Sequence, residues 1–384
     1  MRGLSLEGGG AKGAFHVGAL NALNDRGITF DGVMGTSIGA INGAMVAQDD
    51  LKTLTKVWSE MTPKELFDVD EKHMDKYLNG TLDLDSYVYF AKKFVSVVGN
   101  RGIPIEKTEA ILNDLIDENK LRASSMDYGL VTVDMTDKWT PVEVFKEDIA
   151  EGMLKKYIMA SAYFPAFKRN PIEGKVFMDG GIYDNMPINP LIRKGYTDII
   201  AIRTMSKMPH QKVVDSSVTV GYIVPSEPLG NTLAFTNQVL KDKMKLGYYD
   251  AVRYLDNLAG KQYYIEPMSD IDLTQYLEQL GTEVYNKWSE ELHVDTTSKL
   301  SVIKALYKHF NREETESFSD FGSFVLCLEP FASFLGIDRF KVYSLQYFID
   351  AMRDKHISSS QYPERLQQHR YFNAIMALLE INKN

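Results

Sequence analysis

The sequence contains a single cysteine, Cys327, among its 384 residues. One thiol cannot close an internal disulfide, and it excludes metal sites built from several cysteines. No stretch supplies the ~20 consecutive apolar residues of a membrane-spanning helix. Basic residues are also few: 43 Lys and Arg against 52 Asp and Glu give a net charge of −9. That balance disfavours nucleic acid as a partner and means that any membrane contact must be local.

The first predicted strand begins almost at Met1, so we expect no secretory leader of charged and apolar residues. We therefore expect a cytoplasmic location. No EF-hand type of loop is present, so we expect no calcium site. What the sequence has instead is 44% hydrophobic residues, which is enough for a sizeable core, and two glycine motifs close to its start.

The first glycine motif follows an alternating strand-like run and precedes residues with helical spacing, so it occupies a strand-to-helix loop. It consists of Gly8, Gly9, Gly10, Ala11, Lys12 and Gly13. Successive glycines allow close backbone approach, and free N–H groups at a helix start favour an anion. Lys12 either steadies this loop or attracts an anionic head group, and the sequence leaves both roles open.

The second glycine motif lies on the next predicted strand-to-helix turn. Ser37 is its central residue, with Gly35 and Gly39 on either side. This pattern is typical of a nucleophile elbow, in which a strained serine is exposed to substrate. The two motifs together predict a serine acyl hydrolase, because backbone N–H groups of the first loop can stabilise the oxyanion that forms when serine attacks an ester.

A dinucleotide-binding loop is the rival interpretation of the first motif, since Gly8, Gly10 and Gly13 have the required spacing. That fold needs an acidic residue at the end of its second strand. Here the second strand ends at Ser37, and Asp31 precedes the strand. A phosphate-binding P-loop also fails, because Lys12 is followed by glycine rather than by serine or threonine.

A serine nucleophile needs a base, and Asp179 is the candidate. It follows the apolar residues Phe177 and Met178 and precedes Gly180 and Gly181. Asp-Gly is common in ordinary turns. The apolar neighbours nevertheless place the carboxylate where it would be desolvated, and a desolvated carboxylate is a better base than one in water.

These three motifs, in this order, resemble those of the patatin-like phospholipase family. The resemblance extends over about residues 1 to 260 and includes Ala160 to Pro165, Tyr183 to Pro187 and Gly247 to Ala251. It implies a Ser–Asp dyad without histidine, with Ser37 as nucleophile and Asp179 as base, and with residues Gly8 to Gly13 as the oxyanion loop. It also implies a carboxylic ester hydrolase that cleaves phospholipid or lysophospholipid without a metal or cofactor. Glu7 and Lys12 depart mildly from the family, which often has Asp and Arg there.

A Ser-His-Asp hydrolase is the nearest chemical alternative. None of the seven histidines lies in a strand-to-loop motif, and His16 follows the glycine loop too closely. The order of the motifs also argues against the α/β-hydrolase fold, whose elbow follows several strands. A lipid-binding or regulatory protein with little turnover remains the alternative of a different class.

Alternating strands and helices predict a three-layer α/β sandwich with a mainly parallel sheet. We expect a catalytic domain over residues 1 to 268 and a helical subdomain over residues 269 to 384. The predicted strands are Tyr128 to Val133, Val142 to Phe145, Val176 to Met178, Ile199 to Ile202 and Val218 to Ile223. The predicted helices are Ile105 to Ile116, Ile149 to Ala160, Pro187 to Lys194, Leu233 to Asn257, Leu273 to Leu292, Lys299 to Phe310 and Tyr371 to Ile381.

Two apolar stripes have more than one interpretation. The first, on the predicted helix Ser86 to Val98, consists of Tyr87, Phe90, Ala91, Phe94 and Val98. We expect it to pack on the core, with a lipid-facing lid as the alternative. The second runs from Phe318 to Leu335 and is interrupted by Pro330, which would end or kink a helix. It packs as core, roofs an acyl-chain groove or makes a homo-oligomer contact.

Overall fold

The computed structural model describes residues 1–67, 69–99, 103–164, 167–294, 298–310, 319–356, 362–369 and 371–380. The chain divides into two compact units, Met1–Ala251 and Val252–Asn384. This division lies before residue 268, where we expected the catalytic domain to end. The extent of the catalytic domain stays a prediction. Pro165, Phe318 and Ile381, together with the side chains of Phe94 and Val98, lie outside the described residues.

A seven-stranded sheet forms the centre of the first unit. Its strands are β1 (Arg2–Leu6), β2 (Gly32–Thr36), β3 (Asp127–Asp134), β4 (Thr140–Phe145), β5 (Phe177–Asp179), β6 (Asp198–Ile202) and β7 (Thr219–Ile223). The order is β4-β3-β2-β1-β6-β7, and β5 also pairs with β3. Strands β1, β2, β3, β6 and β7 run parallel, whereas β4 and β5 pair with β3 in the antiparallel sense. The predicted mainly parallel sheet is confirmed.

Eleven helices accompany this sheet in the described part of the chain. They are α1 (Gly13–Asp25), α2 (Ile38–Ala47), α3 (Leu51–Glu60), α4 (Pro63–Phe67), α5 (Glu71–Leu78), α6 (Leu84–Gly99), α7 (Glu106–Leu115), α8 (Glu118–Ala123), α9 (Leu154–Ser161), α10 (Asn189–Arg193) and α11 (Asn237–Asp256), the last of which contains the boundary between the units. Helix α9 begins later than the predicted Ile149, because Gly152 adopts a φ of 78° that a right-handed helix cannot include. Helix α11 likewise begins after the predicted Leu233, since residues 232 and 233 form a turn and residues 234–236 are irregular.

The two faces of the sheet bury different side chains, as alternation along a strand requires. On one face Tyr128 donates a hydrogen bond to the Ala40 carbonyl oxygen of α2 over 2.9 Å. On the other face Met34 and Val131 belong to a buried cluster that contains Leu191 of α10. Helices therefore cover both faces, and the predicted three-layer sandwich is confirmed for the first unit.

The second unit is mainly helical. It contains β8 (Tyr264–Ile265), β9 (Val342–Tyr343), α12 (Asp270–Glu278), α13 (Thr282–Leu292), α14 (Lys299–Phe310), α15 (Asp320–Phe334), α16 (Leu345–His356), α17 (Glu364–Gln367) and α18 (Phe372–Leu379). The helix expected from Leu273 to Leu292 is two helices, because the chain turns before Gly281. Helix α15 continues through Pro330, so this proline does not end the helix, and the expected kink stays a prediction.

The apolar stripe of α15 lies in the core of the second unit. Of its described members, Phe321, Phe324, Val325, Leu328, Phe331 and Leu335 are buried. They are therefore unavailable for contact with substrate or a second copy, and only Phe334 is exposed. Burial on both sides of Pro330 explains why the helix survives there, since packing outweighs the one backbone hydrogen bond that proline removes.

Helix α6 differs from expectation, because Tyr87 and Ala91 of its predicted core-facing stripe are exposed. Leu84 and Val88 share that exposure, so these four residues form one outward apolar face with helical spacing. Among the described residues, no helix is both long and apolar enough to cross a membrane.

Candidate active site

Ser37 occupies a strained turn between β2 and α2. Its backbone has φ 57° and ψ −126°, a combination that costs a non-glycine residue about 1–3 kcal/mol. The two flanking glycines are required by close backbone approach. A Cβ at Gly35 would overlap the carbonyl oxygen of Gly39, and a Cβ at Gly39 would overlap that of Leu6. The sequence Gly-x-Ser-x-Gly therefore permits the elbow geometry that was predicted for it.

Asp179 reaches Ser37 because two strands end head to head beside β3. Strand β2 approaches from one direction, and its last residue, Thr36, pairs with Val131. Strand β5 approaches from the opposite direction, and Asp179 pairs with Thr132. Since Val131 and Thr132 are consecutive, the ladder hydrogen bonds of β3 fix the separation between the two strand ends.

The hydroxyl of Ser37 donates a hydrogen bond to Asp179 Oδ2 over 2.7 Å. The other carboxylate oxygen, Oδ1, accepts the backbone N–H of Gly181 over 2.8 Å. Asp179 is only 7% exposed. Burial raises the pKa of Asp179 to about 6, although the hydrogen bonds from Ser37 and Gly181 lower it. The carboxylate is thus mostly ionised at neutral pH yet more basic than an ordinary aspartate.

Ser161 holds the backbone of Ser37 in place, a role that the sequence did not reveal. Its hydroxyl accepts the Ser37 amide N–H over 2.9 Å and donates to the Val131 carbonyl oxygen over 2.6 Å. The side chain is fully buried at the end of α9. Because the Ser37 amide is committed to this bond, it is not free to bind a substrate oxygen.

The glycine loop is held from two sides. Gly8 donates its N–H to the Asn185 carbonyl oxygen over 2.9 Å, and its own carbonyl oxygen accepts from Thr204 Oγ1 over 2.6 Å. Ala11 donates to the Thr232 carbonyl oxygen over 2.8 Å. Thr204 and Asn185 were not predicted as part of this site, because neither residue type signals which loop it supports.

The backbone amides of Gly9 and Gly10 are unpaired in the described part of the chain, whereas that of Lys12 bonds to the Gly9 carbonyl oxygen. Gly10 has a φ of 55°, which glycine adopts freely. Both glycines line the same cavity as Ser37 and Asp179. Their N–H groups are therefore the ones in the loop that are available to a ligand oxygen.

That cavity has a volume of about 880 Å³, which is within the range of small-molecule sites. Its walls are mainly apolar side chains from α3, α7 and the segments that follow β6 and β7. They include Leu54, Val57, Trp58, Met61, Ile111, Leu112 and Leu115. The Ser37 hydroxyl therefore lies in a largely apolar space, as an acyl chain would require.

Histidine takes no part in this arrangement. His16 is fully buried in α1, and burial lowers its pKa to about 3, so it is neutral at any working pH. None of the described histidines lines the cavity. Across the described ranges, no three His, Cys, Asp or Glu side chains converge as metal ligands.

Comparison with known proteins gives the family. The model of the patatin-like phospholipase family matches residues 4–192. Human patatin-like phospholipase domain-containing protein 6 is 30% identical over 305 residues, which cover 74% of this chain and 20% of that protein. The Drosophila melanogaster neuropathy target esterase sws is 28% identical over 280 residues, which cover 70% of this chain and 18% of that protein. The chain thus spans about a fifth of the length of these curated relatives.

Among solved structures, VipD from Legionella pneumophila aligns with 100% of this chain and 92% of its own at 15% identity, with a TM-score of 0.41. A score below 0.5 adds nothing to the assignment, which depends on the family match over the segment that contains Ser37 and Asp179. Through residues 4–192, the chain belongs to the patatin-like phospholipase family.

Proposed function

We propose that the chain is a lipid acyl hydrolase that works through a covalent acyl-enzyme. The observation that carries this proposal is the 2.7 Å hydrogen bond from Ser37 Oγ to a buried aspartate in a largely apolar cavity. A serine hydroxyl is weakly nucleophilic by itself, and it becomes reactive when a base accepts its proton.

In the proposed mechanism, Asp179 Oδ2 takes the Ser37 proton as Oγ attacks the ester carbonyl carbon. The amide N–H groups of Gly9 and Gly10 bind the oxyanion, each contributing ~3 kcal/mol to transition-state stabilisation. Asp179 then returns the proton to the departing alcohol. In the second half, Asp179 takes a proton from water as the water oxygen attacks the acyl carbon, and it gives that proton to Ser37 Oγ as the acyl–Oγ bond breaks. The fatty acid leaves, and the Ser37 hydroxyl and the Asp179 carboxylate are restored.

The raised pKa of Asp179, about 6, suits this role. A general base is most effective when its pKa lies near the working pH, because it is then both ionised and a good proton acceptor. The family match and the esterase among the relatives support the same reaction class.

Intact mass measurement after treatment with a long-chain alkyl fluorophosphonate tests this proposal. We expect one adduct on the native chain and none on Ser37→Ala. Ser59→Ala is the matched control, because the Ser59 hydroxyl donates to the Lys56 carbonyl oxygen within the same helix and does not line the cavity. This variant should be labelled like the native chain. Equal labelling of Ser37→Ala would refute the assignment. No adduct on any chain would favour a lipid-binding or regulatory protein on the same fold.

We further propose that the outward apolar face of α6 contacts a lipid surface, where an acyl hydrolase meets its substrate. Leu84, Tyr87 and Val88 are 80%, 60% and 46% exposed, and an amphipathic face of this kind binds at the boundary between head groups and acyl chains. Replacing Leu84 and Tyr87 with serine should weaken sedimentation with phospholipid vesicles while hydrolysis of a soluble ester persists. Unchanged vesicle binding would refute this role. The predicted cytoplasmic location and homo-oligomer stay predictions.

A further inference from the structure

The carbonyl oxygen of Gly8 is held by two side chains at once. Thr204 Oγ1 donates a hydrogen bond to it over 2.6 Å, and Asn185 Nδ2 donates another over 3.2 Å. Both side chains are buried. A carbonyl oxygen has two lone pairs, so these two donors complete its hydrogen bonding. The orientation of the peptide unit that joins Gly8 to Gly9 is therefore fixed by residues outside the glycine loop.

The same peptide unit contains the N–H group of Gly9. In a planar trans peptide, the carbonyl oxygen and the N–H of the next residue point in opposite directions. Thr204 and Asn185 thus bind one side of the unit, and the Gly9 N–H points away from them. Hydrogen bonds that a carbonyl oxygen accepts also polarise the amide and make its N–H a stronger donor. Holding the Gly8 oxygen therefore both orients and strengthens the Gly9 donor.

Glu7 in turn holds both of these side chains in place. Its Oε2 accepts the backbone N–H groups of Thr204 and Met205 over 2.6 and 3.1 Å, and its Oε1 accepts from Asn185 Nδ2 over 3.4 Å. Arg203 Nε lies 3.5 Å from the same Oε2. Glu7 is fully buried. Since hydrogen bonds to a buried carboxylate are costly to break, Glu7 links the segment after β6 firmly to the glycine loop.

We infer that Glu7, Thr204 and Asn185 are positioning residues for the oxyanion, acting through the Gly8 carbonyl oxygen on the Gly9 N–H. This inference rests on the proposed function, in which that N–H binds the oxyanion. A donor that is already oriented needs no rearrangement when negative charge develops on the substrate oxygen. Because the charge develops in the transition state, the three residues should affect the chemical step and leave substrate binding nearly unchanged.

Thr204→Val tests the inference, because valine has nearly the shape of threonine and lacks the hydroxyl. The substrates are p-nitrophenyl butyrate and its thionoester, in which sulfur, a weak hydrogen-bond acceptor, replaces the carbonyl oxygen. We expect Thr204→Val to lower kcat for the oxygen ester about tenfold, with KM within about twofold of the native value. The thionoester should slow by no more than about twofold, because it depends little on the Gly9 N–H. Thr204→Ser keeps the hydroxyl and should resemble the native chain with both esters.

Thr55→Val is the matched control. The Thr55 hydroxyl bonds to Leu51 and Asn21, and none of these three residues lines the cavity. This variant should leave kcat unchanged for both esters. Glu7→Gln is a second test variant, because its amide N–H would face other donors, and it should also slow the oxygen ester more than the thionoester.

An unchanged kcat for the oxygen ester in Thr204→Val, an equal loss with both esters, or an equal loss in Thr204→Ser would overturn the inference while the proposed function stands. The nitrogen chemical shift of the Gly9 amide adds a readout that needs no turnover, since it responds to hydrogen bonds at the preceding carbonyl oxygen. It should change in Thr204→Val and persist in Thr204→Ser, and no change in Thr204→Val would also overturn the inference. If the native chain hydrolyses neither ester, the proposed function fails, and a changed Gly9 shift in Thr204→Val alone would still sustain the positioning of this N–H.

Discussion

Asp179→Asn should make the protein more stable at neutral pH while removing its activity. The wild-type carboxylate has a pKa raised by burial from 3.8 to about 6, a shift of ~2 units, each worth ~1.36 kcal/mol. A raised carboxyl pKa favours the native state below 3.8, and that advantage is lost as the pH rises through 6. Ionised Asp179 therefore costs about 3 kcal/mol of folding free energy at pH 8. The neutral amide avoids this cost and can still accept the Gly181 N–H.

Urea unfolding at pH 8 and pH 4 measures the effect. Asp179→Asn should exceed the wild type in free energy of unfolding by up to about 3 kcal/mol at pH 8, and most of that difference should vanish at pH 4. Fluorophosphonate labelling should be nearly lost at both pH values. A variant no more stable than the wild type at pH 8, or a gain that is the same at both pH values, would refute the reasoning.

Asp184→Asn provides the matched control. Burial likewise raises the pKa of Asp184 to about 6, but its Oδ1 accepts the N–H groups of Met186 and Gln211 and does not contact Ser37. We expect a similar gain in stability at pH 8 with labelling retained within a few fold. Loss of labelling in this variant would mean that the assay reports general disturbance of the fold.

Three further results are expected. As the pH is raised, kcat/KM should increase with an apparent pKa near 6 and then level off, because only ionised Asp179 accepts the serine proton. Initial rates that fall as the pH rises through this range would contradict the role of Asp179. Ser161→Ala should slow labelling of Ser37 about tenfold, because the Ser37 amide N–H loses its hydrogen-bond acceptor, and Ser161→Thr should recover part of the rate. An equal loss in both variants would indicate that Ser161 acts only through its packing. In the second unit, Glu329 Oε1 accepts the backbone N–H groups of residues 261–263. Glu329→Ala should therefore lower the free energy of unfolding, measured with urea, by about 3 kcal/mol or more, whereas Glu329→Gln should remain near the wild type. An equal loss in both variants would argue against these hydrogen bonds.

The positions of the glycine loop and of Ser37 on strand-to-helix turns were predictable from local sequence. Alternating and helical spacings change within a few residues there, and the glycines mark the turns. The sequence could not show that β5 is antiparallel, because a three-residue strand gives no sign of its direction. The head-to-head meeting of β2 and β5 depends on pairing with β3, which is distant in sequence.

Supporting residues were harder to find than reacting ones. Ser161 lies within a small-residue helix end, where any serine would satisfy the local pattern, and its value depends on a backbone amide 124 residues away. The exposed face of α6 was only the alternative interpretation, since a stripe with Tyr87 and Ala91 has the same spacing whether it faces the core or solvent. Spacing identifies a stripe, but its neighbours in space decide its burial.

The head-to-head strands separate the chemistry of this chain from its specificity. Ser37 and Asp179, the proposed reacting residues, are positioned by backbone pairing of β2 and β5 with β3, whereas α3 and α7, which contribute part of the cavity wall, lie in the connection between β2 and β3. Substitutions in that connection can lengthen, narrow or reshape the cavity while the ladder contacts at Val131 and Thr132 stay as they are. On the proposed mechanism, one Ser–Asp pair can in this way act on different lipid substrates when the inserted helices change.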